Sequence, residues 1–173
     1  MAVEIHVPGA TLIQVGTGSA AALEDLGYTV NGVDIEEQNF YIDVHGDEHG
    51  GDAGPPIDIQ WVGQLHILRM TLSKFDKTIL DKIRPGLRGK VLGEVLAADI
   101  GSLIFAGGFS YRVVLNSLTT AHERDYLQCV FRDPITANLG TKHQICQLTA
   151  YAYRVAVPGS GNARVWDTTI GAV

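Results

Sequence analysis

Charged side chains are scarce in this chain. Asp, Glu, Lys and Arg make up 18% of its 173 residues, against about a quarter in ordinary soluble domains. Cysteine is scarcer, with Cys129 and Cys146 alone. Two thiols outside any CxxC spacing exclude a disulfide scaffold. Both lie in apolar, strand-like runs, where buried thiols in a reducing cytosol are expected. No apolar run reaches the roughly 18 residues of a membrane helix. The N-terminal stretch Met-Ala-Val-Glu-Ile-His-Val-Pro lacks a basic segment leading into an apolar one. The sequence thus predicts no signal peptide, no membrane partner and a soluble chain made in a cytoplasm. Basic residues are also in deficit, with 13 Lys and Arg against 19 Asp and Glu for a net charge of −6. Such a balance excludes a protein whose main work is gripping phosphates, since those concentrate Lys and Arg on one face. It does not exclude one past which nucleic acid slides.

Apolar residues reach 46%. The length fits one domain, 1–173, carrying an N-terminal segment and a long inserted loop, with enough chain to bury a core. Few charges leave two readings of the surface: partners cover part of it, or Ser, Thr, Asn and Gln coat it.

Period-two alternation dominates. Residues 10–15 read as a short strand. Tyr28 to Ile35 contains Asn31-Gly32, the preferred centre of a type I′ hairpin turn, and Phe40 to Val44 reads as a further strand. Ile57-Asp58-Ile59-Gln60-Trp61 alternates and resumes through Leu65, Ile67 and Leu68 to Leu72, with Gly63 suited to a bulge. Alternation sets Asp58 and Gln60 opposite Ile57, Ile59 and Trp61, which are assigned to the core. One helix is expected over 74–84, capped by Ser73 with Asp76 three residues on, and stopped by Pro85-Gly86. Its face Phe75, Ile79, Leu80, Ile83 is apolar. Later strands are expected at 102–105, 111–118, 126–132 and 142–155, with a last short one including Val165 and Trp166. Residues 91–98 fit strand or helix. The fold class is therefore all-β to α+β: a β-barrel or sandwich with one flanking helix. A loop of about a dozen residues at 45–56, rich in Gly, Pro, Asp and His, joins two strands. Hairpins normally need two to five residues there, so this loop has a role or no fixed shape.

Candidate chemistry is thin. His45, Asp47, Glu48, His49 and Asp52 are ligand types, but their spacing matches no EF-hand or HExxH helix, so no metal is assigned. Gly16-Thr17-Gly18-Ser19 lacks the GK[ST] of a P-loop and the third glycine of a dinucleotide fingerprint. Pairing Cys129 or Cys146 with His122 or His143, or Ser110 or Ser117 with a histidine and an aspartate, has no signature behind it. The basic residues between 74 and 90 fit the wet face of a helix. No catalytic residue and no cofactor are assigned, and the chain is expected not to be an enzyme.

One stretch resembles a known family. Residues 10–72 run from a short strand through Leu26-Gly27-Tyr28-Thr29-Val30-Asn31-Gly32-Val33 to Tyr41-Ile42-Asp43-Val44-His45-Gly46-Asp47. The Gly/Pro loop and Ile57-Asp58-Ile59-Gln60-Trp61 follow. This order is similar to that of virion structural proteins of tailed bacteriophages, in particular tail tube proteins, over about a third of the chain. The resemblance implies a subunit of hexameric rings, stacked into a tube whose joined hairpins line a DNA-conducting channel. It would lie in the virion tail after assembly in the host cytoplasm, with sheath, baseplate and tail terminator proteins as possible neighbours. On that reading Glu36, Glu37, Asp43 and Asp58 are the acidic residues available to face the lumen. Asp47, Glu48, His49, Asp52 and Pro55 belong to a ring-stacking loop. The cysteine pair and a C-terminal half without a counterpart depart from the family. Alternatives are a tail terminator, head–tail connector or capsid decoration protein, or a ligand-binding β-barrel.

Overall fold

A computed structural model describes residues 10–17, 22–46, 54–83, 103, 105, 110–117, 123–138, 145–156 and 163–166. Alternating apolar side chains make most of them strand. In chain order the elements are β1 (Leu12–Thr17), β2 (Glu24–Val44), β3 (Asp58–Phe75), α1 (Lys77–Lys82), β4 (Tyr111–Asn116), β5 (Arg124–Val130), β6 (Thr136–Asn138), β7 (Ile145–Ala152), β8 (Val155–Ala156) and β9 (Ala163–Arg164). The strands pair antiparallel in the order β3-β2-β1-β4-β5-β7-β6, and β3 pairs with β7 as well. That extra ladder closes β3-β2-β1-β4-β5-β7 into a barrel-like circuit, as the expected β-rich class with one helix requires. β8 and β9 form a small separate ribbon.

The interior takes every second residue of these strands. Ile13 and Val15 meet Leu26, Leu68, Met70 and Leu72 from one side. Val113, Leu115, Tyr126, Leu148 and Ala150 come from the other, all buried. α1 adds Ile79, Leu80 and Ile83 to the same cluster. β4 is buried on both faces. Its Arg112 donates from Nε to Asp125 Oδ1 at 3.0 Å and from Nη2 to Oδ2 at 2.6 Å, and both side chains are sequestered from water. A forked pair of this kind is tolerable in a core because each buried charge is met by the other.

Three expectations are corrected. Asn31-Gly32 is not a hairpin turn. β2 runs straight through it, and Val30, Asn31 and Gly32 bulge outward between the pairs Thr29↔Leu72 and Val33↔Met70. A type I′ turn needs positive φ at both central residues, whereas here Gly32 alone has it, at 86°. The Thr29 hydroxyl holds the bulge by accepting from Gly32 N–H at 3.1 Å and Thr11 N–H at 2.9 Å. The strands expected at 28–35 and 40–44 are consequently one.

The helix begins later than expected, at Lys77 rather than Lys74, and Asp76 rather than Ser73 is its cap. The ladder pairs Gly27 with Phe75 and Tyr28 with Lys74, so the backbone stays extended to that point. Asp76 Oδ1 then accepts from Thr78 N–H at 2.7 Å and Ile79 N–H at 3.3 Å. Gly27 is required at this crossing, because a Cβ there would lie 2.0 Å from the Lys74 carbonyl oxygen.

Ile57, Ile59 and Trp61 are not core. They are 54%, 59% and 54% exposed. Ile59 and Trp61 do share the face of Leu68 and Met70, but the barrel stops short of them. The bulge at Gly63 is present as expected: Phe40 pairs with Gly63 and Tyr41 with Trp61, which leaves Val62 extra. Residues 91–98, Gly18-Ser19, His122 and His143 lie outside the described residues, as do 102 and 104 of the strand expected at 102–105, whose Leu103 and Phe105 are not in a strand.

A projecting hairpin as the candidate functional site

β2 and β3 are far longer than a barrel of this size needs. Their ladder continues from Gly27↔Phe75 to Val44↔Asp58. β1 covers the outer edge of β2 as far as Tyr28, with a last bond from Thr29 N–H to the Thr11 carbonyl at 3.0 Å. β7 covers β3 from Leu72 back to His66. Beyond those points no strand among the described residues pairs with β2 over 30–44 or with β3 over 58–65. The eight free β3 residues alone extend roughly 25 Å at 3.3 Å per residue. The result is a two-stranded ribbon leaving a closed barrel, with edges that no described strand covers, each carrying a row of backbone donors and acceptors.

Cross-strand register assigns the side chains to faces. One face continues the barrel interior and carries Ile35, Glu37, Asn39, Tyr41 and Asp43 of β2 with His66, Gln64, Trp61 and Ile59 of β3. Hydrogen bonds follow the same row: Trp61 Nε1–H donates to Asn39 Oδ1 at 3.1 Å, and Asn39 Nδ2–H to Glu37 Oε1 at 3.1 Å. The other face carries Asp34, Glu36, Gln38, Phe40, Ile42 and Val44 with Asp58, Gln60, Leu65, Ile67 and Arg69. There Glu36 accepts from Gln38 at 2.9 Å and from the Arg69 guanidinium. These bonds, Gln38 first and then Arg69 with its charge, hold the Glu36 carboxyl below its ordinary range. Glu37 is likewise lowered, by hydrogen bonds from Asn39 and then Gln64.

The hairpin therefore separates the four acidic residues assigned to a lumen. Glu36 and Asp58 share the outward face, while Glu37 and Asp43 continue the inward one. Of the loop residues, Pro55 is exposed, and Asp47, Glu48, His49 and Asp52 lie outside the described residues. Among the described residues no three His, Cys, Asp or Glu side chains gather as a metal site.

The distal half of the ribbon is apolar on both faces. Tyr41, Ile59 and Trp61 stand on one, and Phe40, Ile42 and Val44 on the other, all exposed. Sequence reading took 40–44 as an ordinary strand and so missed this. The available signal was the unbroken run Phe40-Tyr41-Ile42, since a strand wet on one side alternates and one covered on both does not.

The two cysteines are buried in the barrel. Cys129 is fully buried, and that burial, followed by the charge of Asp125, pushes its thiol far above the ordinary range, so no thiolate nucleophile is present. Cys146 is buried as well, and neither cysteine is in a disulfide. Both point into the barrel, with Cys129 beside Ala152, six residues along β7 from Cys146. That spacing is roughly 20 Å along a strand, well beyond disulfide reach.

No family model and no curated protein matches this sequence. Among solved structures, a chain from the "Virion of native gene transfer agent (GTA) particle" superposes with a TM-score of 0.43 at 11% identity, over 82% of this chain and 88% of that one. A likeness that distant assigns no role, and the functional reading rests on the hairpin.

Proposed function

We propose that this chain is a structural subunit of a phage-type virion, and that it forms tail tube rings by joining its β2–β3 hairpin to those of neighbouring copies. The observation that carries this reading is the ribbon itself, with both edges unpaired among the described residues and both distal faces apolar. Backbone groups along an open edge are best satisfied by another strand. Identical subunits that meet β2 edge to β3 edge make head-to-tail contacts, which close into rings when the rotation allows. An acidic chain, with a net charge of −6, suits a wall past which DNA moves without being held. Glu36 and Asp58, on the face turned away from the barrel interior, are the assigned lumen residues. Glu37 and Asp43 are assigned to the side that packs on protein. The loop at 45–56 is assigned to contacts between stacked rings, with sheath, baseplate and terminator proteins as further neighbours. A ligand-binding barrel fits less well, because Leu68, Val113, Tyr126 and Leu148 fill the interior.

Negative-stain microscopy with light scattering on the purified protein tests the reading. Six-fold rings or open tubes are expected. A species that stays monomeric at high concentration overturns it.

A further inference from the structure

The β3 strand of the hairpin leaves the barrel at His66. His66 is the last position at which β3 pairs with β7, opposite Ala152, and it faces Glu37 across the β2–β3 ladder. Its side chain is buried, 5% exposed for the residue. The ring meets Tyr126 edge-on with centroids 5.9 Å apart and planes inclined at 61°. Nδ1 of His66 has no hydrogen-bond partner, and neither does the Tyr126 hydroxyl. Nε2 lies 3.8 Å from Glu37 Oε2, beyond hydrogen-bond reach.

We propose that His66 is a proton-sensitive hinge between barrel and hairpin: neutral, it seats the hairpin root against Tyr126, and protonated, it abandons that packing and frees the root. The surroundings support this from every side. β2 presents the Glu37 carboxylate. β5 presents Tyr126, the Arg124 guanidinium and, beside Ala152 on the next strand, the Cys129 thiol. β7 presents the uncharged Ala152, and β3 itself adds Gln64. Protonation would put a charge into this buried site and a second N–H on a ring whose Nδ1 has no acceptor. Burial is the largest influence and disfavours the imidazolium, Glu37 opposes it, and Arg124 adds repulsion, so the ring titrates below its ordinary value. The unfolded or opened ring, free in water, therefore takes up a proton more readily than the seated one. Stability from the seated state is complete above the ordinary imidazole value of about 6.5. It is lost as pH falls from there through the lower seated value. The Glu37 side chain, on the same face of the ladder but 53% exposed, gives the imidazolium a destination away from Tyr126.

The inference concerns the free chain and stands or falls separately from ring formation. The test is hydrogen exchange, corrected for intrinsic rates, on the full chain at concentrations below assembly. Between pH 7.5 and pH 5 the protection of amides 36–38 and 65–67 should fall severalfold, because the seated ring binds a proton less readily than the free one, while Val113 to Leu115 hold theirs. His66→Phe keeps a buried ring without a titratable group and should abolish the fall. Glu37→Gln removes the carboxylate that favours the charged ring, and should move the midpoint to lower pH. Protection in the wild type that does not change with pH overturns the proposal, as does an equal fall in His66→Phe. Should His66→Phe not fold, the His66 ring is titrated by NMR in the wild type. A midpoint below the ordinary value that coincides with the loss of amide protection upholds the hinge. A midpoint at or above that value, or one separate from the amide changes, overturns it.

Discussion

Residues 65–72 and 57–64 belong to the same stretch of chain, have similar apolar content and pair with the same partner strand. Yet Leu68 and Leu72 are fully buried, while Ile59 and Trp61 are more than half exposed. The difference is the neighbour on the far edge. β7 lies beside His66–Leu72, and no described strand lies beside 58–65. Burial of a strand residue is thus decided by whether a strand lies on its second edge as much as by its own side chain. An apolar ribbon without that neighbour is a surface prepared for a partner.

The sharpest way to break the comparison is inside the barrel. Arg112→Ala strands the buried Asp125 carboxylate, and should lower the unfolding free energy by about 3–5 kcal/mol, read by urea denaturation at neutral pH. A loss under 1 kcal/mol would mean that water reaches the pair. Leu68→Ala in the barrel should cost about 2–5 kcal/mol through its cavity. Trp61→Ala in the ribbon should stay within about 0.5 kcal/mol for the free subunit, while abolishing higher-order species in light scattering. Equal destabilisation by both would erase the distinction between core and ribbon. The smallest effect is expected from Asp58→Lys. Its side chain is exposed, so stability and assembly should be nearly unchanged, while virions carrying it eject DNA more slowly, most visibly at low salt. Normal ejection would remove Asp58 from the channel wall.

Much of the barrel was legible because its strands keep period two where one face is wet. Leu148-Thr149-Ala150-Tyr151-Ala152 alternates buried and half-buried positions as read. The hairpin was half legible. Its length and the bulge at Gly63 show in the pattern, but the end of the barrel does not, because alternation records which face a residue takes and not whether anything covers it. For that reason Ile59 and Trp61 were assigned to the correct face and the wrong environment. Asn31-Gly32 misled because the same pair that favours a tight turn also relieves a bulge, and only the partner register on Met70 and Leu72 separates the two. Arg112 and Asp125 left no trace at all. They are thirteen positions apart, and a charge destined for a core looks like any other until the strands are paired.

The bulge at Thr29–Val33 has one more consequence. It sits where the ribbon emerges, and its three unopposed residues interrupt the regular ladder on the exposed side of β2. An uninterrupted flat edge would template stacking of unassembled chains into fibrils. Here the bulge adds local twist and breaks the flat edge where β2 emerges, so the ribbon offers no long, uninterrupted template for such a stack.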